Sequence, residues 1–322
     1  MSSLRHHHAF VCLGGGIGTV QLIRGLRSYS DNITVVASMA DDGGSAGRLR
    51  RLFSIPPPGD LINCLAALSD AEPVLKKLLM YRFEGDRWGR DDSLKGQKLG
   101  NLILVALTKI YGDFTTALHE AERIFSCHGK ILPVSNQNVS IWARTKDGKK
   151  IVGEETIDLG KYNGIRQLSE VYIKPQNAAA SPGVLEAMHT ADMIITGPGD
   201  LYTTLLPVLL IKGITHAIKQ SKAVKVFIIN IANKPFETPD YTMANYISAI
   251  EHHIHTFPFD YVVINTNTKP KIPSDLHYSY VPLEKKNALH QSYKLIKADL
   301  VNADFPLYHE SGKLATVLNK LL

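Results

Sequence analysis

The sequence has few cysteines and no long apolar run. Its three cysteines, Cys12, Cys64 and Cys127, lie far apart, which excludes a disulfide framework and a zinc knuckle and favours a reducing compartment. The apolar run at residues 205–211 contains Pro207 and is much shorter than the ~20 residues that a membrane-spanning helix needs. The opening residues also lack the apolar core of a secretion signal. We therefore expect a cytoplasmic protein without a membrane span.

The sequence also has no large excess of positive or negative residues. The 36 Lys and Arg residues against 30 Asp and Glu residues give a formal net charge of +6, and they form no long basic stripe. This pattern argues against a nucleic-acid partner and suits an anionic metabolite, which needs only a few local cations. The P-loop signature, the zinc-protease motif and a Ser-His-Asp arrangement are absent as well. The histidines at positions 6–8 are expected to belong to a disordered tail at residues 1–8.

Strand-like and helix-like segments alternate along most of the chain. The Val- and Ile-rich runs are residues 9–13, 33–38, 193–196, 225–231 and 261–265. Helix-like segments between them predict an α/β, Rossmann-like fold, with a mainly parallel sheet and helices on both faces. We expect one elaborated domain over residues 1–322, with a variable C-terminal region at 266–322.

Two stretches depart from this alternation. An Asp-Gly pair at 147–148 between two β-like runs predicts an inserted antiparallel hairpin. The charged, glycine-containing stretch at 83–97 is predicted to be a mobile surface loop and a candidate lid. Its Trp88 is expected either to stack on a ligand ring or to pack within the loop.

The stretch FVCLGGGIG joins the first strand-like run to the first helix-like segment. Main-chain N–H groups and a positive helix end at such a corner bind phosphate, which makes Gly14, Gly15, Gly16, Gly18 and Thr19 candidate nucleotide-binding residues. The dinucleotide fingerprint is incomplete, because threonine takes the place of its last glycine. The alternative is a tight turn whose glycines only allow the strand and the helix to pack closely.

A second corner of the same kind follows the run at 193–196. Gly197 and Gly199 allow close approach of the backbone, and Pro198 and Asp200 lie beside them. Because the carboxyl ends of parallel strands meet at one edge of a sheet, we expect both corners to face one crevice that suits a diphosphate.

Polar residues follow other strands and open other helices. Asp41 and Asp42 are candidates for contacting a ribose or a divalent cation, or for a turn that caps a helix. Asp60 follows three prolines and is either a metal ligand or a helix N-cap, with Asn63 beside it. Asn101 is either a ligand contact or a buried cap.

Further cationic and amide side chains lie in two loops. Asn233 and Lys234 follow the run at 225–231 and are candidates for contacting a base or a diphosphate. The arginines at 48, 50 and 51 are expected to be solvated.

The ordered set of these segments resembles the 2-phospho-L-lactate transferase-like family, and most of all its bacterial branch of gluconeogenesis factors. The resemblance extends over residues 11–265. The motifs that carry it, in chain order, are GGGIG, ADDGGSAGRLR, IPPPGD, LGNL, ILPVS, TGPGDLYTTLLP and NKPFET.

The resemblance implies a cytoplasmic protein with a Rossmann-like fold. The transferase branch moves a phospholactyl group from a nucleotide-activated donor, with a divalent cation such as Mg²⁺. The bacterial branch is associated with UDP-sugar binding, growth on gluconeogenic carbon sources, cell-wall synthesis and cell shape. It further implies that Asp42, Asp60 and Asn63 surround the second substrate, with Asp42 and Asp60 as metal ligands. We also expect a homodimer.

The chain departs from the bacterial pattern at several positions. It has Ile17 where threonine is usual, Ile62 where arginine is usual, and Gln97-Lys98 where His-Ser is usual. Phe236 replaces a glycine and Asp200 replaces a serine. An unpaired, desolvated Asp200 would repel a phosphate at close range, so the identity of the ligand is left open between UDP-sugar, GDP and NAD.

Overall fold

The strands form a central sheet and a smaller inserted sheet. The computed structural model describes residues 8–90, 93–163, 167–283 and 292–322. Within them the strands are β1 (Phe10–Gly14), β2 (Ile33–Ala37), β3 (Lys130–Pro133), β4 (Ser140–Thr145), β5 (Lys150–Val152), β6 (Leu168–Lys174), β7 (Met193–Thr196), β8 (Val224–Ile228), β9 (Ala232–Asn233), β10 (Tyr261–Asn265), β11 (Ser279–Tyr280) and β12 (Lys294–Ala298). The expected disordered tail lies outside the described residues, except for His8.

Helices connect most of the strands of the central sheet. They are α1 (Gly16–Leu26), α2 (Gly44–Phe53), α3 (Gly59–Leu68), α4 (Pro73–Met80), α5 (Leu99–Tyr111), α6 (Phe114–Ile124), α7 (Glu154–Asp158), α8 (Pro182–Thr190), α9 (Leu206–Leu209), α10 (Ile214–Gln220), α11 (Met243–Ile254) and α12 (Ser311–Asn319). A π-helical turn, Leu201–Leu205, leads into α9. None of the helices in the described part of the chain combines the length and apolar content needed to cross a lipid bilayer.

The central sheet has seven parallel strands in the order β12-β10-β8-β7-β1-β2-β3. The chain builds outward from β1 to β3, returns to the other side of β1 at β7, and builds outward again to β12. The direction therefore reverses between β1 and β7. Ligands of open α/β sheets bind at the carboxyl ends of the strands beside such a reversal.

Both faces of the central strands are covered. All five residues of β1 and all five of β2 are buried, and successive side chains of a strand point to opposite faces. The predicted Rossmann-like α/β fold is confirmed. The parallel edge strands β3 and β12 were not recognised in the sequence, since they are shorter or less apolar than the strands between them.

The inserted hairpin is also confirmed. β4 pairs with β5 in antiparallel register, and Gly148 in the connecting turn has a φ of 85°. The structure adds β6 on the other side of β4, so that the insertion is a three-stranded sheet. Helix α7 follows β5 and carries the insertion toward the carboxyl edge of the central sheet.

Residues 44–53 form helix α2, and before it Asp41 Oδ1 accepts a hydrogen bond from Gly43 N at 3.0 Å, which is the turn that the sequence offered as an alternative. Its Arg48 is 1% exposed and donates to the carbonyl oxygens of Arg90 and Lys95, each at 2.6 Å. The expectation that Arg48 is solvated is therefore wrong, because carbonyls of the charged loop take the place of water. Arg82, just before that loop, donates to Gly96 O at 2.6 Å. Residues 91–92 of the predicted mobile loop lie outside the described residues.

The C-terminal region packs against the central sheet and the first helix. β12 extends the central sheet beside β10, and α12 packs against α1. The approach of the two helices is close, since a Cβ on Gly25 would lie 2.2 Å from Ser311 O. Residues after 265 thus contribute to the same core as the motifs that precede them.

Candidate functional site

The two glycine corners meet at the reversal of the sheet. β1 ends at Gly14, and α1 begins two residues later, at Gly16. β7 ends at Thr196, just before Gly197. A Cβ on Gly18 would lie only 2.6 Å from the carbonyl oxygen of Pro198. The corners are therefore in direct contact, and the absence of a side chain at Gly18 permits it.

A cavity of about 410 Å³ opens at this contact. The structure brings together around it nine of the residues that the sequence singled out. They are Gly15, Gly16, Gly18, Asp41, Asp60, Pro198, Gly199, Asp200 and Lys234. The expectation that both corners face one crevice is confirmed.

Gly14 and Thr19 close the first corner rather than lining the cavity. Thr19 Oγ1 accepts from Gly15 N at 2.8 Å and donates to Gly15 O at 3.0 Å. A Cβ on Gly14 would meet the same Oγ1 at 2.6 Å. For these two residues the alternative of a tight turn describes the structure. Gly16, by contrast, has a φ of 67° and open space beside its Cα.

Asp60 occupies the amino end of helix α1. Its carboxylate accepts a hydrogen bond from Gly16 N, and a Cβ on Gly15 would lie 2.5 Å from Asp60 Oδ2. Burial nevertheless raises the pKa of Asp60, although Lys98 and the Gly16 bond oppose this. The carboxylate therefore occupies the position at which the amino end of a helix would bind an anion.

Two more acidic side chains crowd the same wall. Burial, together with the charge of Asp60, raises the pKa of Asp41 to about 7. Burial, with the charge of Asp41, raises the pKa of Glu154 to about 10. Like charges in a buried cluster are relieved by protons or by a cation. The carboxylate oxygens of Asp41 and Asp60 are of the ligand type that Mg²⁺ prefers.

Asp42 points elsewhere. Its Oδ1 accepts from Glu155 N at 2.9 Å, so the side chain caps the amino end of α7. It borders a separate groove that also contains Arg50 and Arg51. The pairing of Asp42 with Asp60 as metal ligands is therefore corrected, because the structure puts Asp41 on the cavity wall beside Asp60.

Asn63 lies behind the cavity wall rather than on it. It accepts a hydrogen bond from Lys98 Nζ at 2.6 Å. Lys98 is 6% exposed, and burial with the charge of Arg82 lowers its pKa to about 8. Lys98 is one of the departures from the bacterial pattern. It places a buried cation near Asp60, where that pattern has a serine.

Asp200 is paired in the structure. Its Oδ2 lies 2.8 Å from Lys234 Nζ, which also contacts Asp158 and lies 3.5 Å from Glu237 Oε1. Burial lowers the pKa of Lys234, but these three carboxylates outweigh it and the net pKa is raised. Asp200 is therefore not unpaired, so the condition under which it was expected to repel a phosphate is not met.

The same three carboxylates have oxygens within 4.8 Å of one another, a spacing suited to a metal ion. The ammonium group of Lys234 lies among them. Glu237 is further fixed as an acceptor for Tyr202 N at 3.0 Å and Thr203 Oγ1 at 2.8 Å. Lys234 thus links α7, the second glycine corner and the loop after β9.

Asn233 and Asn101 do not line the cavity. Asn233 Nδ2 donates to Tyr241 O at 2.7 Å, and its Oδ1 accepts from Tyr246 at 3.2 Å. Asn233 therefore holds helix α11, and its expected contact with a ligand is corrected. Asn101 is 1% exposed, and its Oδ1 is without a partner in the described parts of the chain. Asn101 is buried at the start of α5, but the N-cap of that helix is Lys98 and no side chain caps it, so the expected capping role of Asn101 is not observed.

One main-chain amide at the second corner is taken by a side chain. Gly199 N donates to Asn230 Oδ1 at 2.9 Å. Asn230 follows β8 and lines the cavity, so an exchange of this bond would free the amide for a phosphate. Sequence reasoning missed Asn230, although its place just after an apolar strand was a usable signal.

Trp88, which the sequence left open between stacking on a ligand ring and packing within its loop, reaches the cavity from the charged loop. Arg87 and Lys161 both lie 4.7 Å from the centre of its ring. Arg87 also lines the cavity, and the sequence had not singled it out. A further set of lining residues comes from the C-terminal region. It consists of Tyr278, Leu307, Tyr308 and His309, here called the C-terminal wall. No sequence pattern marked the wall, because its residues lie far along the chain from both corners.

Comparison with known proteins gives consistent matches. The profile described as 2-phospho-L-lactate transferase CofD matches residues 10–301. The "Gluconeogenesis factor" of Bacillus subtilis is 36% identical over 318 residues, covering 96% of each chain. A longer relative from Clostridium acetobutylicum is 39% identical over 258 residues, which are 80% of this chain and 56% of that protein.

A solved structure shows the same fold. The crystal structure of a Bacillus halodurans protein superposes with a TM-score of 0.87 at 34% identity, covering 97% of this chain and 99% of that one. The glycine corners, the order of the strands and these matches lead to one assignment: the chain belongs to the CofD family of 2-phospho-L-lactate transferase-like proteins, alongside the bacterial gluconeogenesis factors.

Proposed function

We propose that this protein is a cytoplasmic nucleotide-sugar-binding protein, of UDP-sugar type, that acts as a gluconeogenesis factor. It would sense a metabolite and thereby influence carbon metabolism, cell-wall synthesis and cell shape. The observation that carries the proposal is the contact of two glycine corners around one cavity at the reversal of the sheet. The printed name of the Bacillus subtilis relative supports the physiological part.

The charges of the cavity lead to a cation requirement. Six carboxylate residues line it, namely Asp41, Asp60, Glu154, Glu155, Asp158 and Asp200. Arg87 and Lys234 are the cationic side chains among its described lining residues. A diphosphate would add further negative charge. We therefore propose that the nucleotide binds with Mg²⁺, held by Asp41 and Asp60, and that its phosphates lie against Gly15, Gly16 and Gly18.

A second candidate function is a Mg²⁺-dependent transferase of the 2-phospho-L-lactate type. It is favoured by one feature, the half-buried Asp41 on the cavity wall, whose pKa is raised to about 7. A carboxylate with that pKa is suited to take a proton from an acceptor hydroxyl at neutral pH. In this alternative Asp60 would hold the metal and the glycine corners would hold the nucleotide-activated donor.

A thermal-shift experiment tests the proposal. The protein is heated with UDP-glucose, UDP-N-acetylglucosamine, GDP or NAD, each with and without Mg²⁺. A ligand present at one hundred times its Kd stabilises the fold by about 2.7 kcal/mol. Stabilisation by a UDP-sugar that depends on Mg²⁺ is expected.

The other outcomes separate the alternatives. If none of the nucleotides raises the unfolding temperature, the proposal fails and a scaffold with a vestigial pocket is favoured. If a nucleotide binds and is slowly consumed, as followed by phosphorus NMR, the transferase is favoured. The homodimer remains a prediction, to be measured by light scattering during gel filtration.

A further inference from the structure

Helix α4 exposes most of its apolar residues. Its sequence is PVLKKLLM, and Leu79 is the buried residue among these eight. Val74, Leu75 and Leu78 are exposed, and so is Tyr81, which ends the helix. A surface helix of a globular protein normally turns its apolar stripe to the core and its polar residues to solvent. The core contact of α4 uses one leucine and leaves the other large apolar side chains outside.

Helix α5 has an apolar stripe on its outer side as well. Leu99, Ile103, Ala106 and Ile110 recur at spacings of four, three and four, so they lie on one face of the helix. That face is half-buried at its start and exposed from Ala106 onward. Residues 99–108 contain no charged side chain, and a helix that is apolar on every side is typical of a buried position. The composition of α5 therefore suits a helix that is covered on its outer side too.

The two exposed stripes belong to one surface. Leu99 N donates to Tyr81 O at 2.8 Å, which joins the end of α4 to the start of α5. The helices also pack closely, since a Cβ on Gly100 would lie 2.5 Å from Leu79 O. The surface is here called the α4–α5 face and is defined by Val74, Leu75, Leu78, Tyr81, Ile103 and Ile110.

The size of the α4–α5 face matches what a dimer needs. Val74, Leu75, Leu78, Tyr81 and Ile110 are between 38% and 72% exposed. Together they present roughly 500 Å² of surface, which is as much as the largest apolar patch of a typical monomer. Two copies would bury about 1,000 Å² through these residues alone, so the rim has to add only a few hundred Å² to reach the ~1,200 Å² of a specific interface.

The charges beside the face favour a second copy of the same chain. Glu72 precedes the first turn of α4, Lys77 lies in its last turn, and both are exposed. Two copies of a helix that meet at a two-fold axis perpendicular to it run antiparallel. Glu72 of each copy would then lie beside Lys77 of the other. The face is thus complementary to itself in charge as well as in apolar character.

We infer that the α4–α5 face is the contact surface of a homodimer, in which α4 of one copy packs antiparallel on α4 of the other. This contact is independent of the proposed ligand. The charged loop at 83–97 connects the two helices, and its Arg87 and Trp88 line the cavity. The contact would therefore hold both ends of a loop that reaches the site in each copy.

The test is the self-association of the protein, measured by analytical ultracentrifugation over a concentration series. The wild-type protein should sediment with twice the mass of one chain. Leu78→Glu and Ile110→Glu each place a carboxylate in the face and should raise the dissociation constant of the dimer at least about tenfold. Val152→Glu is the matched control, because Val152 is an apolar residue of the inserted sheet that is 50% exposed. It should leave the dimer unchanged, and unfolding temperatures show whether each variant is folded.

An exchange of charges tests whether the occupant of the face is a second copy. Glu72→Lys and Lys77→Glu each bring like charges together in the antiparallel contact, so each variant alone should associate about fivefold more weakly. In an equimolar mixture of the two variants every such contact again joins opposite charges. Mixed dimers should therefore form with about the affinity of the wild-type protein.

The contrary outcomes are distinct. A wild-type protein that stays monomeric at every concentration overturns the inference and leaves the face to a different partner. A dimer that persists in both Leu78→Glu and Ile110→Glu, or one that Val152→Glu weakens equally, also overturns it, since the interface then lies elsewhere. Failure of the mixture to restore association overturns the antiparallel pairing of α4. None of these results bears on nucleotide binding, which the thermal-shift experiment tests separately.

Discussion

The contact between the two glycine corners can be tested by adding one methyl group. In Gly18→Ala the new Cβ would lie 2.6 Å from Pro198 O and 3.0 Å from Pro198 C. Both atoms belong to the backbone, so the corner after β7 has to move. The result should be a loss of stability together with weaker binding of a nucleotide diphosphate.

The size of the effect is a balance of two terms. Overpacking of this kind costs about 1–3 kcal/mol. Alanine also has a helix propensity roughly 1 kcal/mol better than glycine, and Gly18 lies inside α1. We expect a net loss of about 1 kcal/mol in the free energy of unfolding. Affinity for UDP with Mg²⁺ should fall by about tenfold, because the displaced corner is part of the phosphate site.

The same helix supplies a matched control. In Gly25→Ala the Cβ would lie 2.2 Å from Ser311 O, at the contact with α12. This variant should lose at least as much stability, measured by urea unfolding, and retain the affinity of the wild type, measured by calorimetry. Equal weakening of binding in both variants would mean that general destabilisation lowers affinity. Unchanged binding in Gly18→Ala would refute the role of the joined corners.

Three further predictions concern single side chains. Gly16→Ala should cost about 1 kcal/mol of unfolding free energy from its φ of 67° alone, since its surroundings are open; a much larger loss in urea unfolding would contradict this. Lys234→Met should cost about 3 kcal/mol at pH 7.5, because three carboxylates lose their cation, and added Ca²⁺ should restore part of it; an unchanged urea midpoint would show that the cluster is not stabilising. Asp41 has a folded-state pKa raised from 3.8 to about 7, so its contribution to stability is complete below pH 4 and is lost as the pH rises through 7. Asp41→Asn should therefore gain stability relative to the wild type from pH 4 to pH 8 without Mg²⁺, and a constant difference across that range would contradict the assigned pKa.

The corners could be predicted from sequence because their signal is local. A strand, a glycine turn and a helix occur within about ten residues at each corner, and the reversal of a parallel sheet then brings two such corners together. The same reasoning located Asp60, whose approach is stiffened by prolines.

The choice between Asp41 and Asp42 was beyond sequence reasoning. The two are neighbours in the chain, and what distinguishes them is the main-chain amide of Glu155. It lies 113 positions after Asp42, on the insertion, and donates a hydrogen bond to Asp42 Oδ1. His309 is a similar case. Its place on the cavity depends on the pairing of β12 with β10 and has no counterpart in nearby residues.

The packing of α12 on α1 has a consequence for how the protein is made. During synthesis the first glycine corner leaves the ribosome nearly three hundred residues before its supporting helix. Tyr278, Leu307, Tyr308 and His309 also come late in the chain, so the lining of the cavity is incomplete until they have been synthesised. Because contacts between residues far apart in sequence form slowly, we expect the complete site to form late in folding.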